Sequence, residues 1–289
     1  MSVVAGAPRR LGVPAPEARL RFEEGPEGAG EWAGRRLLVL DGKPAFERSF
    51  WCGTCGFLFR RLEGATGTLS PWDAADRLAD RLADPDEAGN GTLDETVLQV
   101  FGSLLPEGDY LPLRFPVEPT LVVPGQEGDY FTGEQVTTWG VNAFWGLPES
   151  PRTPYYRTFE TAVGDAAHLY EFVVPMVPPS WNDQARVAEY ARQGERGRAV
   201  VAVSTLDRCL PATDTEATDY HEHWCLTHFL LDGHHRTQAA ASTGRALPLL
   251  SLLALDACLA EPRDHQRLPA LRARPRQVRA AGPTERAAR

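Results

Sequence analysis

The clearest pattern lies in the last third of the chain, where runs of apolar residues alternate with segments of helical composition. Leu169–Val177 is almost continuously apolar and stops at Pro178-Pro179. Ser180 then offers a cap for a helix over 182–193, closed by Gly194. Ala199–Ser204 is a short apolar run, followed by an acidic loop over 207–220. A further run over 224–231 reaches Asp232-Gly233, turns into a helix-forming stretch that ends near Gly244, and is followed by an apolar run from Pro248 to Leu255. Strands with so few polar positions are covered on both faces. The predicted order is β–α–β–loop–β–turn–α–β.

Upstream, the pattern is weaker. Arg36–Gly42 reads as a strand ending in a turn. Ser70-Pro71 starts a helix carrying Ala74, Ala75, Leu78 and Leu82 on one side. A second helix begins near Thr92 or Asp94 and ends at Pro106. Residues 110–123 are extended but broken by prolines, which predicts edge strands or loops. Residues 124–165 show no clear period and read as a loop-rich insertion. Four regions follow: a mobile segment 1–30, an N-terminal region 31–165, a core domain 166–260, and a disordered basic tail 261–289. The fold class is α+β, a mixed-sheet core with an N-terminal α/β extension.

Composition narrows the function classes. The net charge is −9, although the tail from Glu261 holds eight arginines against three carboxylates. An acidic body speaks against a broad nucleic-acid-binding surface. Of the 30 basic residues, all but Lys43 are arginine, so each arginine is argued from its position. No apolar run is long enough for a membrane span, and Met1–Arg10 lacks the basic start and apolar core of a secretory signal, so a cytoplasmic location is expected.

Candidate chemistry concentrates at Asp232-Gly-His-His-Arg236. A strand that halts at a glycine and turns directly into a helix offers the free N–H groups of the helix N-terminus to an anion. Arg236, in the first turn, suits bidentate phosphate binding, and His234 and His235 are proton carriers near neutral pH. Asp232 reads equally as a helix cap or, through Mg²⁺, as a metal-assisted catalytic carboxylate. The plain alternatives are a salt bridge for Arg236 and hydrogen-bonded structural roles for the histidines.

A second constellation is Cys52-Gly-Thr-Cys55-Gly56. Two thiolates at this spacing suit a structural Zn²⁺ ion, and His221, His223 and Cys225, spaced by two on a strand, would share one face, so that any two complete a tetrahedral site. Cys52, Cys55, His221 and His223 form the favoured set. A thioredoxin-like redox role ranks lower because no βαβ context follows. Cys209 and Cys258 read as buried side chains.

The element order and the Gly233-His-His-Arg236 turn together resemble the ParB/sulfiredoxin-like superfamily over residues 168–257. The resemblance implies a nucleotide (ATP, ADP or CTP) with Mg²⁺, its phosphate held by Gly233, Arg236 and Thr237. Asp232, His234 and His235 would serve catalysis, and Glu171 would be the glutamate base that related kinases place near the opening strand. Reductases of this superfamily carry a cysteine where this chain has His234, so that activity is rejected. The implied function is a nucleotide-dependent phosphotransferase or hydrolase acting on a small molecule. The alternative is a ParB-like, nucleotide-switched regulatory or nucleic-acid-associated protein using the basic tail.

Overall fold

The computed structural model describes residues 3–25, 35–48, 59–67, 78, 93–134, 150–165, 167–193, 198–209 and 222–277. In chain order the strands are β1 (Val4–Ala5), β2 (Arg9–Leu11), β3 (Leu20–Glu24), β4 (Arg36–Leu40), β5 (Lys43–Glu47), β6 (Arg60–Arg61), β7 (Gly108–Val117), β8 (Thr120–Val122), β9 (Tyr155–Gly164), β10 (Ala167–Pro175), β11 (Val200–Cys209), β12 (Glu222–Asp232) and β13 (Leu247–Ala254). The α-helices are α1 (Glu95–Gly102), α2 (Gln184–Gln193), α3 (His234–Thr243), α4 (Pro262–His265) and α5 (Leu268–Arg272). Among the described residues nine strands form a mixed sheet in the order β1-β7-β13-β11-β12-β10-β9-β8, with β2 also on β7; β3-β4-β5-β6 form a second sheet. The molecule is α+β, and among the described residues no helix is long and apolar enough to cross a membrane.

The large sheet is covered on both sides, which explains its apolar runs. Along β10, Tyr170, Phe172 and Val174 join a core shared with Leu38, Phe46 and Phe101 of the small sheet and α1. Leu169 and Val173 point the other way, into a core closed by Ala240 of α3 and by Leu268 and Leu271 of α5. The sequence β10, α2, β11, β12, α3, β13 reproduces the predicted order, with parallel β10–β12 and β11–β13 pairs. Asp94 caps α1 by accepting from the Val97 N–H at 3.0 Å.

Several expectations are corrected. Segment 1–30 is structured over its described part: β1 and β2 pair with β7, and β3 joins the second sheet. Within the 110–123 stretch β8 is the edge strand expected, paired among the described residues with β9 alone, but β7 is no edge: it pairs with β13 on one side and with β1 and β2 on the other. Its prolines are tolerated because of the side they face. The Pro112 carbonyl accepts from Gly6 N–H, so its nitrogen also points to that side, where the ladder breaks between β1 and β2. Pro116, four residues on, faces the same side, and its missing donor leaves the β13 ladder intact.

The boundary at residue 165 falls inside the β9–β10 hairpin, so β7, β8 and β9 belong to the same sheet as the core. The tail is folded as far as residue 272: α4 and α5 dock Leu268 and Leu271 into the core. The helix expected from Ser70 falls outside the described residues, apart from the buried Leu78.

Candidate functional site

β10 and β12 run parallel in register, Pro175 opposite Leu230, so their carboxyl ends lie side by side at one edge of the sheet. This is where open α/β sheets accept ligands. β12 ends at Asp232, Gly233 takes φ +94°, and α3 begins at His234. The helix cap is Gly233, with no side-chain cap bond, so Asp232 is not the cap. Asp232 instead forms an ion pair with Arg236 one turn on, at 2.6 Å, and Arg236 also donates to the Ala199 carbonyl at 3.4 Å.

Gly233 is required by packing as well as by its backbone angle: a Cβ there would lie 2.3 Å from Val200 Cγ1. Thr237 is buried and donates to the Gly233 carbonyl at 3.0 Å, which holds the first turn closed.

The two histidines tie the helix start to the chain leaving β10. His234 is buried, and its Nε2 accepts from the Met176 N–H at 3.1 Å. Burial pulls its pKa down to about 4, outweighing the opposing pull of Asp232. His235 accepts at Nε2 from the Asp183 N–H at 3.1 Å. Its pKa is lowered first by burial and then by Arg186. Asn182 adds a bond from Nδ2 to Gln238 Oε1 at 2.8 Å. Both imidazoles therefore use Nε2 as an acceptor and carry their proton on Nδ1. Gln238, one turn along α3, and Arg186 and Asn182 complete the surroundings; only the fold, which lays the 176–186 segment across α3, brings the latter two there.

Asp232, Gly233, His235 and Arg236 are half-buried, whereas His234 and Thr237 are buried. Glu171 lies elsewhere: it pairs in register with Leu226, six residues before Asp232, and so sits roughly 20 Å along the strand from that turn. It is enclosed by Thr158, which donates at 2.6 Å, by the Arg272 guanidinium at 2.9 Å, and by His228 at 3.8 Å. Burial alone would raise its pKa, but Arg272, His228 and Thr158 together hold it below the usual carboxylate value. His228 in turn meets Ser204 at 2.6 Å, and Ser251 donates to Ser204 at 2.9 Å. This buried polar chain has a legible signature, a Ser, His or Glu within each apolar run. Its members are too deeply buried to meet a substrate, so the expected role of Glu171 as a base at the turn is corrected to that of an internal counter-ion.

Of the metal set, Cys52, Cys55 and His221 fall outside the described residues. His223 is buried beneath Tyr130, whose hydroxyl meets its Nδ1 at 2.5 Å. Among the described residues no group of three or more His, Cys, Asp or Glu side chains is arranged to hold a metal ion. No family model matches the chain, and no curated protein and no solved structure matches it either.

Proposed function

We propose that the β10–β13 unit is a ParB/sulfiredoxin-like core and that its Asp232–Arg236 turn holds the phosphate of a nucleotide, for phosphotransfer to, or hydrolysis of, a small molecule. One observation carries this reading. The N-terminus of α3 stands at the shared carboxyl ends of two parallel strands, with a half-buried carboxylate, imidazole and guanidinium within five residues of one another. The first amides of a helix have no acceptor within it and favour an anion.

In this reading the Asp232–Arg236 pair is the resting state of the site. On binding, Arg236 turns to the phosphate, and Asp232 is the residue that would hold Mg²⁺, which would offset phosphate charge. His235, with its Nδ1–H, serves as a hydrogen-bond donor rather than as a base, and His234 is a positioning residue. The enzyme reading is favoured over a tail-driven nucleic-acid binder because Arg272 is engaged inside the fold, against Glu171. A structural Zn²⁺ on Cys52 and Cys55 belongs to the same proposal.

The test is a thermal-shift series with ATP, ADP and CTP, each with and without Mg²⁺, on the wild type and on Arg236→Ala. Stabilisation of the wild type by at least one Mg²⁺–nucleotide, lost in Arg236→Ala, is expected. No stabilisation, or equal stabilisation of both proteins, would overturn the assignment.

A further inference from the structure

A second site lies on the opposite face of the large sheet and at its opposite edge. β13 runs antiparallel to β12, so the carboxyl end of β13 meets the amino ends of β7 and β12, away from the α3 turn. There a cleft of about 360 Å³ opens between the two sheets, walled by Phe22, Tyr110, Ala254 and Cys258. Its volume lies within the range of small-molecule sites.

The charges in this cleft are sorted by depth. Arg48, buried, and Arg36, half-buried, are held side by side by the Arg48 N–H bond to the Arg36 carbonyl. Arg36 is satisfied by Asp207 at 3.2 Å and by the Ala257 carbonyl. Arg48 is 4% exposed, yet its five-donor guanidinium makes a single 3.3 Å bond to the Ala257 carbonyl and lies 4.6 Å from the Phe22 ring centre. Its Nε is buried without a partner, and among the described residues no carboxylate is within ion-pair distance. Burial and the adjacent Arg36 pull its pKa down to about 10. A buried cation left this far short of its hydrogen bonds is costly.

The mouth is the reverse. Glu23, Glu24, Glu107, Asp109 and Asp256 are all exposed along the lining. Arg10 and Arg21 answer some of them, but among the described residues Glu24 has no ion-pair partner. A plain anion would be repelled by this mouth, and a plain cation by the floor.

We infer that the cleft binds a small amphoteric molecule, with its carboxylate inward on Arg48 and its amine outward at Glu24. Because the two charges are separated by the depth of the cleft, the fitting class is an ω-amino acid or a short peptide rather than a molecule with both charges on neighbouring atoms.

The experiment uses the full chain with 4-aminobutyrate, 6-aminohexanoate and glycylglycine as probes. Hexanoate and hexylamine supply one charge each. Binding is read by thermal shift and titration calorimetry on the wild type, Arg48→Met and Glu24→Gln. At least one amphoteric probe should stabilise the wild type more than either single-charge probe. Arg48→Met should weaken that probe about a hundredfold, and the exposed Glu24→Gln about threefold. The ligand-free Arg48→Met protein should melt at or above the wild type, because it loses an unpartnered buried charge. Three results would each overturn the inference: no response to any amphoteric probe, equal binding by Arg48→Met, or a ligand-free Arg48→Met that melts several degrees lower, which would make Arg48 a structural cation.

Discussion

Lowering the pH through the interval between the two protonation equilibria of His234 should destabilise the fold by an amount the structure specifies. In the unfolded chain this imidazole takes up a proton near 6.5; in the fold it does so only near 4, because it is buried and its Nε2 already accepts the Met176 N–H. The unfolded state therefore gains the proton first as the pH falls. Stability is unaffected above about pH 7, declines between about 6.5 and 4, and levels off below. The loss is about 2 kcal/mol near pH 5 and about 3 kcal/mol once the decline is complete, a large share of the ~5–15 kcal/mol that holds a typical domain.

His235 and His265 are shifted in the same direction, so the wild-type curve alone does not isolate His234. His234→Gln does: its side-chain oxygen can accept from Met176 and does not titrate. Urea unfolding of both proteins between about pH 7.5 and 4.5 should give curves that diverge by about 2 kcal/mol at the acidic end, with the wild type falling faster. Parallel curves would refute the buried, neutral, accepting imidazole and with it the account of how α3 is held.

Two further outcomes are expected. Glu171→Gln leaves Arg272 buried without its counter-charge and should cost about 3–5 kcal/mol in denaturant unfolding, with much of it recovered in Glu171→Gln/Arg272→Met, where neither charge remains; equal losses in both variants would show that the pair is not the source. Metal analysis of the purified protein should find about one zinc per chain, lost in Cys52→Ser; a zinc-free wild type would remove that site.

The β10–β13 unit was legible because each strand is buried on both faces and each helix is bounded by proline or glycine, so local composition and tertiary role agree. Legibility failed where a residue's role depends on distant partners. β1 and β2 are too short to show a period and exist only because β7 offers them an edge. Pro112 argued for an edge strand, and only the gap between β1 and β2 shows why it is tolerated. The arginine-rich tail read as solvated because the two leucines one turn apart in α5, Leu268 and Leu271, were outweighed by their charged neighbours. At the turn, the motif correctly marked a strand-to-helix corner. The pairing of Asp232 with Arg236 is local, one helical turn apart, and lay within the salt-bridge alternative; the pairing of each imidazole with a backbone amide depended on where the 176–183 segment lies.

The contact of Arg272 with Glu171 has a consequence for biosynthesis. The carboxylate is laid into the middle of the sheet, while its cation arrives roughly a hundred residues later in the order in which a ribosome delivers the chain. Until α5 emerges, the half-assembled sheet carries an acid that favours staying wet, and this opposes premature collapse of that face. The last turn of α5 thus works as a clasp, and the sheet becomes watertight only when it snaps shut.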